Sequence, residues 1–156
     1  MPGKIDARLA ALDIVLPEAG RPVANFVPCV LSGSTLYISG QIPTLNGKIM
    51  HVGKVGGEIS LEEARSAARL AALNALGQAR EFLGDLDRVT RVCMVQGFVN
   101  GTADFAQHPM VMNGASDLFV EVFGEKTGSH ARFAVGSGSL PFNVAVEVAV
   151  VLEVAT

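Results

Sequence analysis

The stretch SLEEARSAARLAALNALGQAREFLG, residues 60–84, decides the fold of this chain. Ser60 and Glu63 form an S-x-x-E capping box, which is typical of a helix start. Gly84 is the residue type that most often follows a helix end. Alanines recur so often between these limits that the helix must lie closely on another layer of structure. We therefore predict one long helix, ending at about Leu83, that packs on a β-sheet.

Strand-like and helix-like segments alternate on both sides of this helix, and no internal repeat or low-complexity linker interrupts them. We predict a single α+β domain over residues 1–156, with its helices on one face of a mixed sheet and residues 1–22 as an N-terminal helical extension. The predicted elements are a helix at 5–16, strands at 26–31 and 35–40, the long helix, a strand at 89–100, a helix that Asp104 caps or precedes and that runs to about 123, and strands at 131–135 and 143–154.

The composition is apolar for a small domain, with 49% hydrophobic and 17% charged residues. No uninterrupted apolar run approaches the roughly 18 residues that a membrane-spanning helix needs, and no signal-peptide core is visible. We therefore expect a soluble cytoplasmic protein whose excess apolar surface is covered by oligomerisation. The net charge of −3 and the scattered basic residues argue against nucleic-acid binding.

Two cysteines, Cys29 and Cys93, are far apart and form no CxxC motif. Neither a disulfide framework nor a metal site is therefore predicted. Cys93 lies in an apolar strand-like run, and we expect it in the core. His130, two residues before Arg132, is interpreted as a partly exposed loop residue.

Two charged residues lie inside apolar strands: Arg132 within ARFAV (131–135) and Glu147 within VAVEVAV (144–150). A carboxylate in a strand covered on both faces must find a partner or have a raised pKa. A hairpin folded symmetrically about residues 139–140 would place Arg132 directly opposite Glu147. Spacing leaves two interpretations open. The pair is a structural ion pair, or Arg132 receives a substrate carboxylate while Glu147 orients a water or passes a proton.

Three stretches in order resemble the RidA/YjgF family, also labelled endoribonuclease L-PSP. The first is LYISGQIP at 36–43, the second is Asp104-Phe105-Ala106 followed by Asn113, and the third joins Ala131-Arg132 to Leu140-Pro141 and Glu147. The resemblance implies a chorismate-mutase-like fold assembled as a homotrimer, with ligand sites between subunits. It also implies hydrolysis of reactive enamines and imines, such as 2-aminoacrylate, to a 2-keto acid and ammonia without a cofactor.

The same resemblance assigns roles to individual residues. Arg132 would hold the substrate carboxylate and Glu147 would position the hydrolytic water. The remaining substrate-binding residues would be Phe26, Ser39, Gly40, Asn113 and Ala134. Phe26 stands where many members have tyrosine, so only a packing role carries over there. Two alternatives remain: a non-catalytic trimer that binds a small carboxylate, and the endoribonuclease or translation inhibitor of the family label.

Overall fold

The computed structural model describes residues 2–156 of the chain. Short 3₁₀ turns at Leu86–Arg88 and Pro141–Asn143 precede two of the strands. In chain order the elements are α1 (Lys4–Ala11), β1 (Cys29–Ser32), β2 (Thr35–Gln41), β3 (Thr44–Leu45), β4 (Lys48–Ile49), α2 (Leu61–Leu83), β5 (Val89–Asn100), α3 (His108–Gly128), β6 (Ala131–Ser137) and β7 (Val146–Val154).

Five strands form one mixed sheet in the order β1-β2-β7-β5-β6, and β3 pairs with β4 in a small ribbon. Only β5 and β6 run parallel; the other neighbours are antiparallel. Along β7 every second residue, from Val146 to Val154, is buried, and α2 and α3 pack against the sheet. The other face stays uncovered in the single chain, so the predicted sheet with helices on one face is confirmed.

The long helix α2 begins where the sequence predicts. The Ser60 hydroxyl accepts a hydrogen bond from the backbone N–H of Glu63 at 3.1 Å, and Gly84 ends the helix at a φ of 80°. α2 also lies very close to α3, because a Cβ at Gly114 would collide with the backbone carbonyl oxygen of Arg65. Small residues at this contact allow both helices to lie on one narrow sheet.

The predicted hairpin between the last two strands is wrong. β5 lies between β6 and β7, so that Arg132 pairs with Val95 and Glu147 pairs with Phe98. The physical reason is α3, which connects β5 to β6 and is long enough to bring them side by side in parallel. Arg132 and Glu147 are therefore not cross-strand neighbours.

Two predicted helices have different bounds in the structure. α1 ends at Ala11, five residues early, and Asp13 adopts a left-handed φ of 56°. Leu16 is buried although it lies beyond the helix, so the apolar spacing marks buried residues here and not the length of the helix. α3 begins at His108, so Asp104 precedes the helix and does not cap it, and Pro109 lies in its first turn. Near the predicted end at 123 the helix is interrupted by Gly124, which has a φ of 81°, and a further helical segment continues to Gly128. Among residues 2–156, no helix is long and apolar enough to cross a bilayer.

The short helix α1 is anchored by a carboxylate distant in sequence. Asp87 accepts hydrogen bonds from the backbone N–H groups of Lys4 and Ile5, both at 2.8 Å. These bonds lower the pKa of Asp87, since they favour its ionised form. Asp87 thus satisfies helix-start donors that α1 cannot satisfy itself.

We expect Asp87→Ala to release α1, seen as faster hydrogen exchange in the segment that contains it. Because the pKa of Asp87 is lowered in the docked state, its contribution is complete above about pH 3.9, the ordinary aspartate value. The contribution is lost as the pH falls through the lowered pKa. Mass-spectrometric exchange measures both effects, with Glu81→Ala, an exposed carboxylate on α2, as the control. Unchanged protection of α1 in Asp87→Ala would contradict the anchor.

Candidate active site

Glu147 lies on the uncovered face of the sheet, on the central strand β7. It is half-buried, and within the described residues it forms no ion pair. Burial raises the pKa of Glu147. Of the two outcomes that the sequence allowed for this carboxylate, a partner or a raised pKa, the structure shows the raised pKa.

A cavity of about 670 Å³ opens beside Glu147. Phe26 and Gly40 line it together with Glu147, so three of the predicted site residues share one space. The remaining walls come from segment 17–28 before β1, the loop after β2, one face of α2 and the turn before β7. A concave, largely apolar space with few polar groups is the usual form of a small-molecule site.

Gly40 and Ser39 have different roles at the cavity edge. A Cβ at position 40 would overlap the Glu147 carboxylate, so the glycine lets that carboxylate lie against β2. Ser39 does not line the cavity; its hydroxyl donates to the backbone carbonyl of Val27 at 2.7 Å. Ser39 therefore holds the segment that carries Phe26, and contact between Ser39 and a ligand stays a prediction.

Arg132 lies on the edge strand β6 and points to the start of α3. Its Nη1 donates to Asn113 Oδ1 and to Ser116 Oγ, each at 3.0 Å, and its Nη2 donates to the carbonyl of Pro109 at 3.4 Å. All three acceptors are neutral, and no carboxylate pairs with Arg132 anywhere in residues 2–156. A guanidinium has five N–H donors. The group is therefore oriented by the protein, while its charge remains available to an anion.

Ala134 follows Arg132 on the same face of β6 and packs partly against the core. Because β6 is the last strand of the sheet, half of its backbone groups lack a strand partner. Ala134 thus lies on an edge strand, and contact between its backbone and a ligand stays a prediction.

His130 and Ser116 extend the Arg132 cluster. His130 Nδ1 lies 2.6 Å from the carbonyl of Gly128, and Nε2 lies 2.8 Å from Ser116 Oγ. A carbonyl can only accept, so Nδ1 carries a proton; in the neutral ring Nε2 then accepts from the serine hydroxyl. The imidazole lies half-buried in the short loop between α3 and β6, which confirms the expectation of a partly exposed loop residue, and both of its ring nitrogens have hydrogen-bond partners.

The structure does not unite the two halves of the predicted site within one chain. Glu147 shares the uncovered face with its partner Phe98, whereas Arg132 pairs with Val95, three residues before Phe98, and so lies on the helix face. Asn113 accompanies Arg132, and Phe26 accompanies Glu147. The single chain thus presents an oriented cation at the edge of its sheet and a carboxylate in a cavity elsewhere.

Four further polar residues belong to these two places, and the sequence analysis did not identify them. Three of them could have been noticed as polar residues at otherwise buried helix positions. The fourth is an arginine in the irregular N-terminal segment, where no such pattern exists. They are Ser116, Asn74 and Gln78 on the helices and Arg21 before β1.

The cysteines take no part in either place. Cys29 is buried, and burial raises the pKa of its thiol to about 11, so that the thiol stays protonated at neutral pH. Cys93 is exposed, which corrects the expectation of a core position; it lies beside an irregularity in the pairing of β5 with β7. No cluster of three or more potential metal ligands occurs in the part of the chain described here, residues 2–156.

Comparisons with known proteins agree with this architecture. Residues 6–154 match the family model described as "YjgF/chorismate_mutase-like, putative endoribonuclease". Protein TCP17 of Trypanosoma cruzi is 44% identical over 151 residues, which cover 97% of this chain and 94% of that protein.

Two solved structures are similar over nearly the whole chain. A protein from Agrobacterium tumefaciens, described as of unknown function, is 42% identical with a TM-score of 0.89, covering 97% of this chain and 92% of its own. A protein from Shewanella oneidensis, described as a "putative endoribonuclease", is 34% identical with a TM-score of 0.93, covering 97% of this chain and 100% of its own.

Proposed function

Since the chain belongs to the YjgF/chorismate-mutase-like family, we propose that it hydrolyses reactive enamines and imines of the 2-aminoacrylate type to a 2-keto acid and ammonia. The observation that carries the proposal is the state of Arg132. Its guanidinium is fixed by Asn113, Ser116 and Pro109 through neutral oxygens, and no carboxylate among residues 2–156 is paired to it. A planar cation held in this way is suited to bind a substrate carboxylate through two parallel hydrogen bonds.

The chemistry requires little more than orientation and a proton carrier. Protonation of the enamine carbon gives the imine, whose carbon is electrophilic; water adds to that carbon, and the carbinolamine loses ammonia. Glu147, with its raised pKa, takes a proton from the attacking water and returns one to the leaving nitrogen. Phe26 and the other apolar walls of the cavity exclude bulk water from the reacting centre.

A complete site on this scheme needs two subunits, one supplying Arg132 and the other Glu147. The uncovered sheet face supports such an assembly, because it exposes apolar side chains that a monomer would leave in water. The exposed fraction is 37–50% for four large side chains on this face: Val30 and Tyr37 on β1 and β2, and Phe133 and Val135 on β6. We propose the homotrimer of the sequence analysis, with one site at each boundary between subunits.

We expect Val135→Asp to dissociate the assembly, since it places a charge in the proposed contact. The control is Val15→Asp, at a valine that is 89% exposed and lies in the N-terminal segment, away from the sheet. Analytical ultracentrifugation should give a mass of three chains for the wild type and the control, and a smaller mass for Val135→Asp. A monomeric wild-type protein would contradict the two-subunit site.

The test of the proposed function is keto-acid release from enzymatically generated 2-aminoacrylate. Purified protein should accelerate pyruvate formation above the spontaneous rate in proportion to its concentration. An unchanged rate with the assembled wild-type protein would refute the deaminase. Stabilisation by 2-keto acids in a thermal-shift assay, without turnover, would instead support the carboxylate-binding trimer, since a ligand at 100 times its Kd adds roughly 2.7 kcal/mol.

A further inference from the structure

Two amide side chains on α2 form part of the cavity wall. Asn74 and Gln78 are one helical turn apart, only 6% and 5% exposed, and both line the cavity. Residues four apart on a helix lie side by side, with about 5–6 Å between their Cβ atoms. The two amides therefore present a paired polar patch in an otherwise largely apolar space.

Hydrogen bonds to the backbone fix the orientation of both amides. Asn74 Nδ2 donates to the carbonyls of Ile42 and Thr44, at 3.1 and 2.9 Å, and Gln78 Nε2 donates to the carbonyl of Gly20 at 2.8 Å. Exchanging nitrogen for oxygen in either amide would place two acceptors against each other, so the hydrogen-bond partners favour the nitrogen facing these carbonyls. Each amide nitrogen thus donates to a backbone carbonyl, and each amide oxygen points away from that carbonyl.

The two amide oxygens have no hydrogen-bond donor within residues 2–156. Both oxygens nevertheless have some exposure to solvent. Among residues 2–156, Asn100 Oδ1 is the only side-chain oxygen or nitrogen that is fully buried and has no hydrogen-bond partner. Asn74 Oδ1 and Gln78 Oε1 therefore retain access to space, and the space beside both residues is the cavity. An acceptor at such a place favours a ligand that brings its own N–H.

We propose that this wall is a subsite for a substrate whose side chain ends in a carboxamide. A primary amide offers two N–H donors, one for each oxygen, and it carries no charge. A cation would lose its hydration against two neutral oxygens, which compensate that loss less well than a carboxylate does. The charged residues that line the cavity are of both signs, Glu18, Arg21 and Glu147, so the choice of a neutral group rests on the two amide oxygens. The proposal rests on the proposed function, because the reacting end of the substrate would occupy the Glu147 end of the same cavity.

Binding of three matched carboxylates to the assembled full-length protein tests the subsite. Glutaramate ends in an amide, 5-methylhexanoate has the same shape without N–H, and 5-aminopentanoate ends in a cation. By calorimetry, glutaramate should bind about tenfold tighter than 5-methylhexanoate. Equal or weaker binding of glutaramate would overturn the subsite, and tightest binding of 5-aminopentanoate would overturn the choice of a neutral group.

A pair of variants separates the ligand contact from the structural bond to Gly20. Gln78→Met loses both the oxygen and the donor, and should lower the preference for glutaramate about fivefold. Gln78→Glu loses the donor but keeps an acceptor oxygen; its added charge acts on glutaramate and 5-methylhexanoate alike, since both are carboxylates, so most of the preference between them should remain. Equal losses in both variants would show that Gln78 acts through the N-terminal segment alone, and would overturn the proposal.

The outcomes also distinguish this subsite from the proposed reaction, because 2-aminoacrylate has no side chain to reach α2. Pyruvate release without any preference for glutaramate would overturn the subsite alone. A preference for glutaramate without pyruvate release would overturn the deaminase alone. Absence of both would overturn the two proposals together.

Discussion

Replacing Arg132 with alanine is expected to lower kcat/KM for imine hydrolysis by about two orders of magnitude. Each hydrogen bond to a charged group contributes about 1.5–3 kcal/mol, and two of them to one carboxylate amount to at least a hundredfold in rate. The loss should appear in both binding and turnover, because the same guanidinium orients the imine carbon toward the water. Pyruvate release from 2-aminoacrylate is the measurement.

The lysine variant separates charge from geometry. Arg132→Lys keeps a cation but loses the planar fork that Asn113 and Ser116 orient. Its activity should lie between that of the wild type and that of Arg132→Ala, since a point charge attracts a carboxylate without fixing its plane. Full activity in the lysine variant would show that orientation by the fork is not required.

A matched control is available in Arg69, a partly exposed arginine on α2 that pairs with Glu121 at 3.2 Å. Arg69→Ala removes an equal charge whose partner is already supplied by the protein, and exposed pairs contribute little to stability. We expect Arg69→Ala to retain activity. Circular dichroism and the assembly mass should be unchanged in all three variants; similar activity losses in Arg69→Ala and Arg132→Ala would remove the special role of Arg132.

The sequence predicts this fold well where local signals are strong. The Ser60 cap, the alanine face of α2 and the long apolar strand at Val89–Asn100 are each specified within a few residues, and the structure has them at the predicted places. By contrast, α1 ends early because Asp13 adopts a left-handed φ of 56° and the Ile14 N–H donates to the carbonyl of Leu9, which closes the last turn. The apolar spacing up to Leu16 gives no sign of this turn, because spacing reports which face is buried and not where the helix ends.

The order of the strands in the sheet could not be predicted from residue spacing. Residues 132 and 147 satisfy the arithmetic of a symmetric hairpin, but the sequence does not show that β5 will occupy the position between their strands. The identity of Arg132 and Glu147 as unusual charges was nevertheless correct, because an isolated charge in an apolar strand is a local signal. What each charge meets depends on the sheet order, which is not local.

The polar groups around the candidate site illustrate the same limit. Asn113 was predicted through a family motif, whereas Ser116, three residues on, was not, although both contact Arg132. Asn74 and Gln78 were hidden in a helix that reads as core, since a buried amide and a solvent-facing amide look alike in sequence. The subsite proposed for them depends on carbonyls of distant segments that accept from their nitrogens, a contact that local sequence does not reveal.

Glu147→Gln is expected to lower kcat by about two to four orders of magnitude, the usual contribution of a positioned acid or base. The glutamine has nearly the same shape and can lie against Gly40 as the carboxylate does. It cannot take a proton from water. Loss of turnover with little change in the binding of a 2-keto acid would identify Glu147 as the proton carrier.

The rate of imine hydrolysis should rise with pH, because Glu147 must be ionised to take a proton from water. Burial raises the pKa of Glu147, so the wild-type rate should rise with pH along a limb that lies above about 4.3, the ordinary glutamate value. That limb should be absent in Glu147→Gln. The control is Glu153→Gln on the same strand, where an exposed carboxylate accepts a hydrogen bond from Thr90 at 2.7 Å and does not line the Glu147 cavity. The control should keep the limb.

Stability should change in the opposite direction to activity. Because the pKa of Glu147 is higher in the folded state, folding favours the protonated form, and stability falls as the pH rises through that value. The uncharged Glu147→Gln variant should therefore unfold at a higher temperature than the wild type at neutral pH, although it is inactive. A carboxylate retained for structure would give the reverse, a destabilised variant, and thermal unfolding at two pH values distinguishes the cases. Stability given up at one half-buried carboxylate is the expected cost of a functional charge.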